Sequence, residues 1–258
     1  MRNTENPFET FYRNPVYLEF KNHLYNYQLR RRAIRDALKS APQNGLILEI
    51  GSGVSTMADG LGKVLFSDIS MEAMRCLKDR ETKPLTAAMS VTDIAIQNEK
   101  IDSLVCSEVL EHVPDDRRAL YEFSRILKPG GLLVLTVPAH PRYFGTDDIF
   151  VEHQRRYKIW PFLKQIRKAG FNQVKIVKIT GLLDKLAMVT LTTLYPLFAL
   201  RGKKKKAAKD SGLRILLLRG LLPFYITLNW IFALFVTLEA RLMPLSTTAV
   251  IMVTARKT

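Results

Sequence analysis

The chain has 258 residues, long enough to bury a sizeable core without a disulfide or metal staple, and room for one or two domains. Lys and Arg number 39 against 24 Asp and Glu, a formal net charge of +15, which points to a polyanion or an anionic membrane surface as a partner. Hydrophobic residues make up 47%, which excludes a disordered tail protein. The two cysteines, Cys76 and Cys106, are too few for a secreted disulfide scaffold and fit a reducing, cytoplasmic setting.

Met1 to Pro15 is polar and charged and does not read as a signal peptide. Residues 1–44 mix aromatics from Phe8 to Tyr27 with Arg30, Arg31, Arg32 and Arg35. They are expected to form one or two amphipathic helices, packed on a later core or lying on a charged surface.

Short apolar runs then fall at 46–50, 63–66, 103–106, 131–137 and 174–179. Helical patterns at 71–80, 116–127 and 159–169 separate them. This alternation implies βαβ units, a mostly parallel sheet, and a ligand at the carboxyl ends of the strands. The unit is expected to occupy residues 45–181, with a last core strand in 246–258.

Leu46 to Ile50 runs into Gly51-Ser-Gly53, a turn where Gly51 allows a tight bend and Gly53 lets a ligand approach bare backbone. Asp68 closes the next run, where a carboxylate can accept two ribose hydroxyls. Position 56, where a dehydrogenase loop more often has its third glycine, is Thr56.

Taken in order, four segments resemble the class I S-adenosylmethionine-dependent methyltransferases. They are Glu49-x-Gly51-x-Gly53, Asp68-Ile-Ser70, Ile101 through Glu108-Val-Leu-Glu111-His112, and Leu127-Lys-Pro-Gly-Gly131. The resemblance implies a Rossmann-like, doubly wound seven-stranded sheet with N-terminal helices and a hydrophobic helical insertion before the last strand. It assigns Glu49, Gly51 and Gly53 to the methionine end of S-adenosylmethionine, Asp68 and its neighbour Ile69 to the ribose end, Ser90 and Val91 to the adenine, and Ser107 to the sulfonium. Two departures weaken the expected affinity: Ser55 stands for the third loop glycine, and no acidic residue stands at Ser90.

Glu108, Glu111 and His112 stand at i, i+3 and i+4, expected on one face of a helical turn where the methyl group is delivered. Such a set could hold Mg²⁺, Mn²⁺ or Zn²⁺, and is similar to metal sites of quinone-pathway O-methyltransferases and small-RNA 2′-O-methyltransferases. Without a metal, Glu108 and His112 serve acid–base or structural roles. No Asn/Asp-Pro-Pro-Tyr follows the fourth strand, which disfavours adenine or amide nitrogen as acceptor.

After the fifth strand, Val137-Pro-Ala-His140-Pro leads through Asp147 and Asp148 to His153-Gln-Arg155-Arg156-Tyr157. This resembles methyltransferases of lipid, quinone or cell-surface glycan synthesis. His153 suits a general base for a hydroxyl. Arg155 and Arg156 suit an acceptor anion, or else pair with Asp147 or Asp148 to fold the loop.

Residues 182–245 break the pattern. Leu186–Leu200 and Gly220–Leu238 are uncharged, fifteen and nineteen residues long, and flank Arg201-Gly-Lys-Lys-Lys-Lys-Ala-Ala-Lys209. If both segments crossed a membrane, the basic loop would lie outside, against the positive-inside rule. A hairpin dipping into one leaflet, or two helices lying in the interface, is expected, its bases meeting anionic head groups on the cytoplasmic face, of the inner membrane if the source is bacterial. A soluble helical lid or a dimer interface burying the same residues is the alternative.

These features make the expected function methylation, with oxygen preferred, of an amphipathic lipid-linked, quinone-like or glycolipid acceptor at the membrane. The rivals are an RNA methyltransferase, which the clustering of bases in one apolar-flanked loop disfavours, and a non-catalytic scaffold.

Overall fold

The computed structural model describes residues 22–42, 44–80, 82–202 and 212–258. The aromatic segment before residue 22 and the lysines at 203–209 lie outside the described residues.

Helix α1 (Tyr25–Leu38) is followed by β1 (Ile47–Ile50), β2 (Val64–Asp68), α2 (Met71–Lys78), β3 (Leu85–Ala88), β4 (Ile101–Ser107) and α3 (Asp116–Ile126). Then come β5 (Leu127–Pro138), the short α4 (Thr146–Phe150), α5 (Ile159–Lys168) and β6 (Phe171–Thr180). The insertion is two helices, α6 (Leu182–Gly202) and α7 (Gly212–Leu242), before β7 (Val250–Lys257).

The seven strands form one sheet in the order β3-β2-β1-β4-β5-β7-β6. Strands β1 to β5 pair in parallel, while β7 runs antiparallel to both neighbours. The sheet is therefore mostly parallel, as expected, and mixed only at one side. From β1 the chain winds outward through β2 and β3, then returns to build β4 and β5 on the other flank. That reversal opens a crevice at the carboxyl ends of β1 and β4.

Side-chain alternation divides the core between two faces. Leu48, Ile50, Leu104 and Leu133 pack with Leu120 and Phe123 of α3 and Phe162 of α5. Ile47, Val105 and Val134 pack with Ile34 of α1, Met74 of α2 and Val236 of α7. With helices on both faces, even β1 is wholly buried, which is why it reads as an apolar run with a single carboxylate.

Two details escaped the sequence pattern. Strand β3, Leu-Thr-Ala-Ala, is a half-exposed edge with no apolar signature. The Pro129-Gly130-Gly131 breaker lies inside β5, where the ladder to β4 jumps from Ile101↔Leu127 to Ser103↔Leu132, and Gly130 at φ +73° accommodates the bulge.

The insertion leaves and rejoins the sheet at one point, because Thr180, the last residue of β6, pairs with Val250, the first of β7. There the Glu239 carboxylate of α7 accepts the N–H groups of Leu182 and Leu183, at 2.7 and 3.1 Å, satisfying the first turn of α6. Helix α7 continues through Pro223, whose carbonyl accepts the Thr227 hydroxyl at 2.9 Å.

Candidate active site

The turn after β1 places Gly51 at φ +73° and Gly53 at φ +52°, conformations that favour glycine. At Gly51 a Cβ would also stand 2.2 Å from Val109 Cγ2. The following loop hangs on two buried carboxylates. Glu49 accepts Met57 N–H and Ala58 N–H, each at 2.9 Å, and burial pushes its carboxyl up to about 7 in spite of these bonds. Asp68 accepts Gly53 N–H at 2.8 Å and Ser70 N–H at 2.9 Å, so the end of β2 is tied to the glycine turn. Ser55 Oγ is buried in the same loop without a hydrogen-bond partner.

Helix α1 braces this loop from outside. Tyr27 Oη donates to Thr56 O at 2.8 Å, Arg31 Nη2 reaches both Asp59 oxygens at 3.0 and 2.9 Å, and Arg35 Nη1 donates to Asp59 O at 2.8 Å. Glu49, expected at the ligand's methionine end, has both oxygens engaged by the loop, and so shapes the cradle.

The other expected contacts ring the same strand ends. Ile69 is exposed beside Asp68. Ser90 Oγ lies 2.9 Å from Thr92 Oγ1, and Val91 is half-buried against the core. Ser107 Oγ lies 2.8 Å from Thr136 Oγ1, which donates in turn to Glu108 Oε1 at 3.0 Å.

The expected helical face of Glu108, Glu111 and His112 is not formed. Glu108 sits at φ +53°, and only Leu110–His112 makes a 3₁₀ turn, so the helical i, i+3 spacing does not apply. Glu108 turns instead to Arg30 of α1, Nη1 to Oε2 3.1 Å. Glu111 points inward and is fully buried, both carboxylate oxygens lacking a hydrogen-bond partner. Burial, with the nearby Glu108 charge, pushes its carboxyl well above the ordinary range. His112, its Nδ1 3.2 Å from Glu152 O, is held below the usual imidazole range by burial and by His153.

His153 arrives from the loop after β5. Its ring centroid is 4.8 Å from that of His112, and its Nε2 is 3.6 Å from Glu111 Oε1. Among the described residues the group able to hold a metal is therefore Glu111, His112 and His153, with ligand atoms within 4.8 Å of one another. Glu108 drops out of the expected set and His153 replaces it.

Behind His153 lies a buried charge cluster. His153 Nδ1 is 2.8 Å from Asp148 Oδ1, and Arg156 Nε bridges both Asp148 oxygens at 2.8 Å. Lys185 of α6 reaches Asp148 Oδ2 at 3.0 Å and Asp147 Oδ1 at 2.5 Å. Burial pushes the Asp148 carboxyl up, but hydrogen bonds from His153, Arg156 and Lys185 more than reverse it and hold the group well below the usual carboxylate range. With Asp148 accepting from Nδ1, Nε2 of His153, 3.6 Å from Glu111 Oε1, would keep its lone pair.

Of the two arginines offered to an acceptor anion, Arg156 is buried and spent on Asp147 and Asp148. Arg155 is partly exposed, with Nη2 donating to Pro114 O at 3.1 Å. Sequence reasoning missed Arg30, Thr136 and Lys185, which come from distant segments. Only the Asp147-Asp148 pair beside two arginines signalled the cluster.

Comparison with known proteins bears on the family and the fold. Residues 48–135 match the family model of a methyltransferase domain. A ubiquinone biosynthesis O-methyltransferase of Alkalilimnicola ehrlichii is 29% identical over 38% of this chain and 44% of its own length. A demethylmenaquinone methyltransferase of Streptomyces avermitilis is 25% identical over 58% of this chain and 78% of its own. The chain thus spans less than half of the first relative. A Thermotoga maritima structure, described as a methyltransferase and possible histamine N-methyltransferase, shares the fold at TM-score 0.54 and 23% identity, covering 66% of this chain and 82% of that one.

Proposed function

This chain belongs to the class I S-adenosylmethionine-dependent methyltransferases through the domain at residues 48–135, and on that premise we propose that it methylates an amphipathic acceptor at a membrane surface. The residues at the crevice fit S-adenosylmethionine. The Gly51–Gly53 turn bares its backbone, and buried Ser55 Oγ lacks a partner. Asp68 presents a carboxylate at the end of β2 beside the glycine turn, the group type that accepts ribose hydroxyls. Ile69, Ser90 and Val91 serve the adenine side and Ser107 the reacting end. The cofactor supplies a methyl group on a sulfonium, open to in-line attack.

The observation that carries the acceptor chemistry is the His153–Asp148 contact of 2.8 Å: with Asp148 accepting from Nδ1, Nε2 keeps a lone pair for a proton. That suits removal of a hydroxyl proton, so oxygen is the preferred acceptor atom. The relatives named for ubiquinone and menaquinone synthesis support a lipophilic ring. His112 and Glu111 line the floor, and Glu108 joins α1 to the mouth.

Helices α6 and α7 supply the membrane contact in this reading. Leu222–Leu242 is long and apolar enough to cross a bilayer. The basic run between the helices favours lying in one cytoplasmic leaflet over crossing. A lipid extract incubated with labelled cofactor and analysed by mass spectrometry tests the reading. A methylated lipid that disappears with Asp68→Ala is expected. Labelled RNA without labelled lipid, or no cofactor binding in calorimetry, would replace it with the nucleic-acid or scaffold reading.

One observation favours a second element. The buried, unpartnered Glu111 carboxylate beside His112 and His153 fits a divalent ion such as Mg²⁺ or Mn²⁺. Such an ion supplies a lowered pKa for a bound hydroxyl.

A further inference from the structure

Resting on the membrane-surface reading above, we infer that the mouth of the active site is itself a second lipid contact. Helix α4 and the turn before it lie on the bilayer beside α6 and α7, so the acceptor enters from the lipid.

The placement follows from connectivity. Helix α6 departs from the carboxyl end of β6 and α7 returns to its partner residue Val250, on the sheet edge that carries Gly51, Asp68 and Glu108. The apolar hairpin thus emerges beside the site. Helix α4 is fastened to it: Lys185 of α6 bridges Asp147 and Asp148, and the Thr146 hydroxyl lies 3.3 Å from both the Thr192 and Thr193 hydroxyls. Asp148 of the same helix holds His153.

Both pieces expose apolar side chains to solvent. On the site side these are Phe144 and Ile149, the latter 66% exposed. On α6, Leu186, 63% exposed, and Leu191 also face solvent. Burial of such side chains is favourable, so exposed Phe144 and Ile149 beside the segment that carries His153 call for an apolar partner.

The occupant is lipid, and α7 says why. At about 100° per residue, Asn229, Phe232, Val236 and Ala240 fall within an arc of about 80° that faces the protein. Asn229 Oδ1 accepts Tyr25 N–H at 3.0 Å, the Tyr25 and Phe232 rings meet at 4.7 Å, and Val236 is buried. The exposed apolar residues, from Ile226 and Trp230 round to Phe224 and Leu228, span about 200°. A protein groove covers a stripe of roughly 100°, whereas a leaflet wraps the wider arc. The lysines at 203–206 and 209 add the charge that an anionic surface attracts.

The chain's two tryptophans, Trp160 and Trp230, allow a direct test. The Trp160→Phe protein keeps Trp230 as the reporter of α7. The Trp160→Phe, Trp230→Phe, Ile149→Trp protein reports α4. Each is mixed with vesicles of brominated phosphatidylcholine and phosphatidylglycerol, after calorimetry confirms cofactor binding. Loss of emission from both reporters is expected, relative to unbrominated vesicles. Quenching of the α7 reporter with an unaffected α4 reporter overturns the inference while the membrane reading stands. Quenching of neither overturns both.

Discussion

Arg30 of α1 and Glu108 at the end of β4 form an ion pair of 3.1 Å between largely buried side chains. The same carboxylate accepts the Thr136 hydroxyl. One contact therefore ties the N-terminal helix, two central strands and the site mouth together. Removing Arg30 strands a carboxylate whose other oxygen is already committed. Arg30→Met is expected to lower stability by roughly 2–4 kcal/mol in urea unfolding, and Glu108→Gln in that background to restore part of it. Additive losses would show that the pair is not coupled.

Gly51 has two separate reasons to be glycine, a φ of +73° and the Val109 side chain 2.2 Å from the place of a Cβ. Gly51→Ala is expected to abolish cofactor binding in calorimetry and to lower the melting temperature. Adding Val109→Ala removes the collision and leaves the backbone strain, which costs about 1–3 kcal/mol, so recovery should be partial. Full recovery would mean that the left-handed conformation is not required.

The Gly51–Gly53 turn, Asp68 and the β/α alternation were legible because each rests on neighbours in sequence: a strand end, a tight turn, a period. What failed was the assumption that Glu108, Glu111 and His112 continue a helix. The left-handed Glu108 and the short 3₁₀ turn send Glu108 to Arg30 while Glu111 and His112 stay together, and spacing alone carries no sign of that. Arg30 and Lys185 were illegible for another reason. Their partners Glu108 and Asp148 lie far along the chain, and only the closed sheet brings them together. The Asp147-Asp148 and Arg155-Arg156 doublets showed that charge would meet charge, yet not that Arg156 would be buried and Arg155 left partly exposed.

Asp68 binds the glycine turn through Gly53 N–H, and in the proposed function it accepts the ribose hydroxyls of the cofactor. Asp68→Ala is expected to weaken S-adenosylmethionine binding by roughly 1–3 kcal/mol, a loss of about 5- to 150-fold measured by calorimetry. An unchanged dissociation constant would remove this strand end from the cofactor site.

Glu49 makes stability depend on pH. Its folded pKa of about 7 lies above the ordinary 4.5, because burial opposes the charge. The native state therefore holds this proton more tightly than the unfolded chain does. The contribution is fully present below about pH 4.5, declines as pH rises to about 7 and is absent above, a difference on the order of 3 kcal/mol. Glu49→Gln removes the titration. The stability difference between the two proteins should change across that window and stay flat above it. A constant difference from pH 4 to pH 8 would place the carboxyl in an ordinary titration range.

The last prediction separates the two chemistries open to the Glu111, His112 and His153 group. If His153 acts as base with Asp148 fixing its tautomer, chelator leaves methyl transfer to the lipid extract unchanged. Asp148→Asn then lowers the rate by roughly 10²–10⁴, because the proton shifts to Nε2 and the lone pair turns away from the acceptor. Glu111→Gln is close to neutral in that case, since burial favours the uncharged form of this carboxyl and the amide has its shape. If the three residues hold a metal, the order reverses. Chelator abolishes transfer, Mn²⁺ or Mg²⁺ restores it, and Glu111→Gln is as damaging as loss of a ligand, because a neutral amide cannot replace a carboxylate on a divalent ion. Full activity of Glu111→Gln in chelator would exclude the metal and leave His153 as the group that takes the proton.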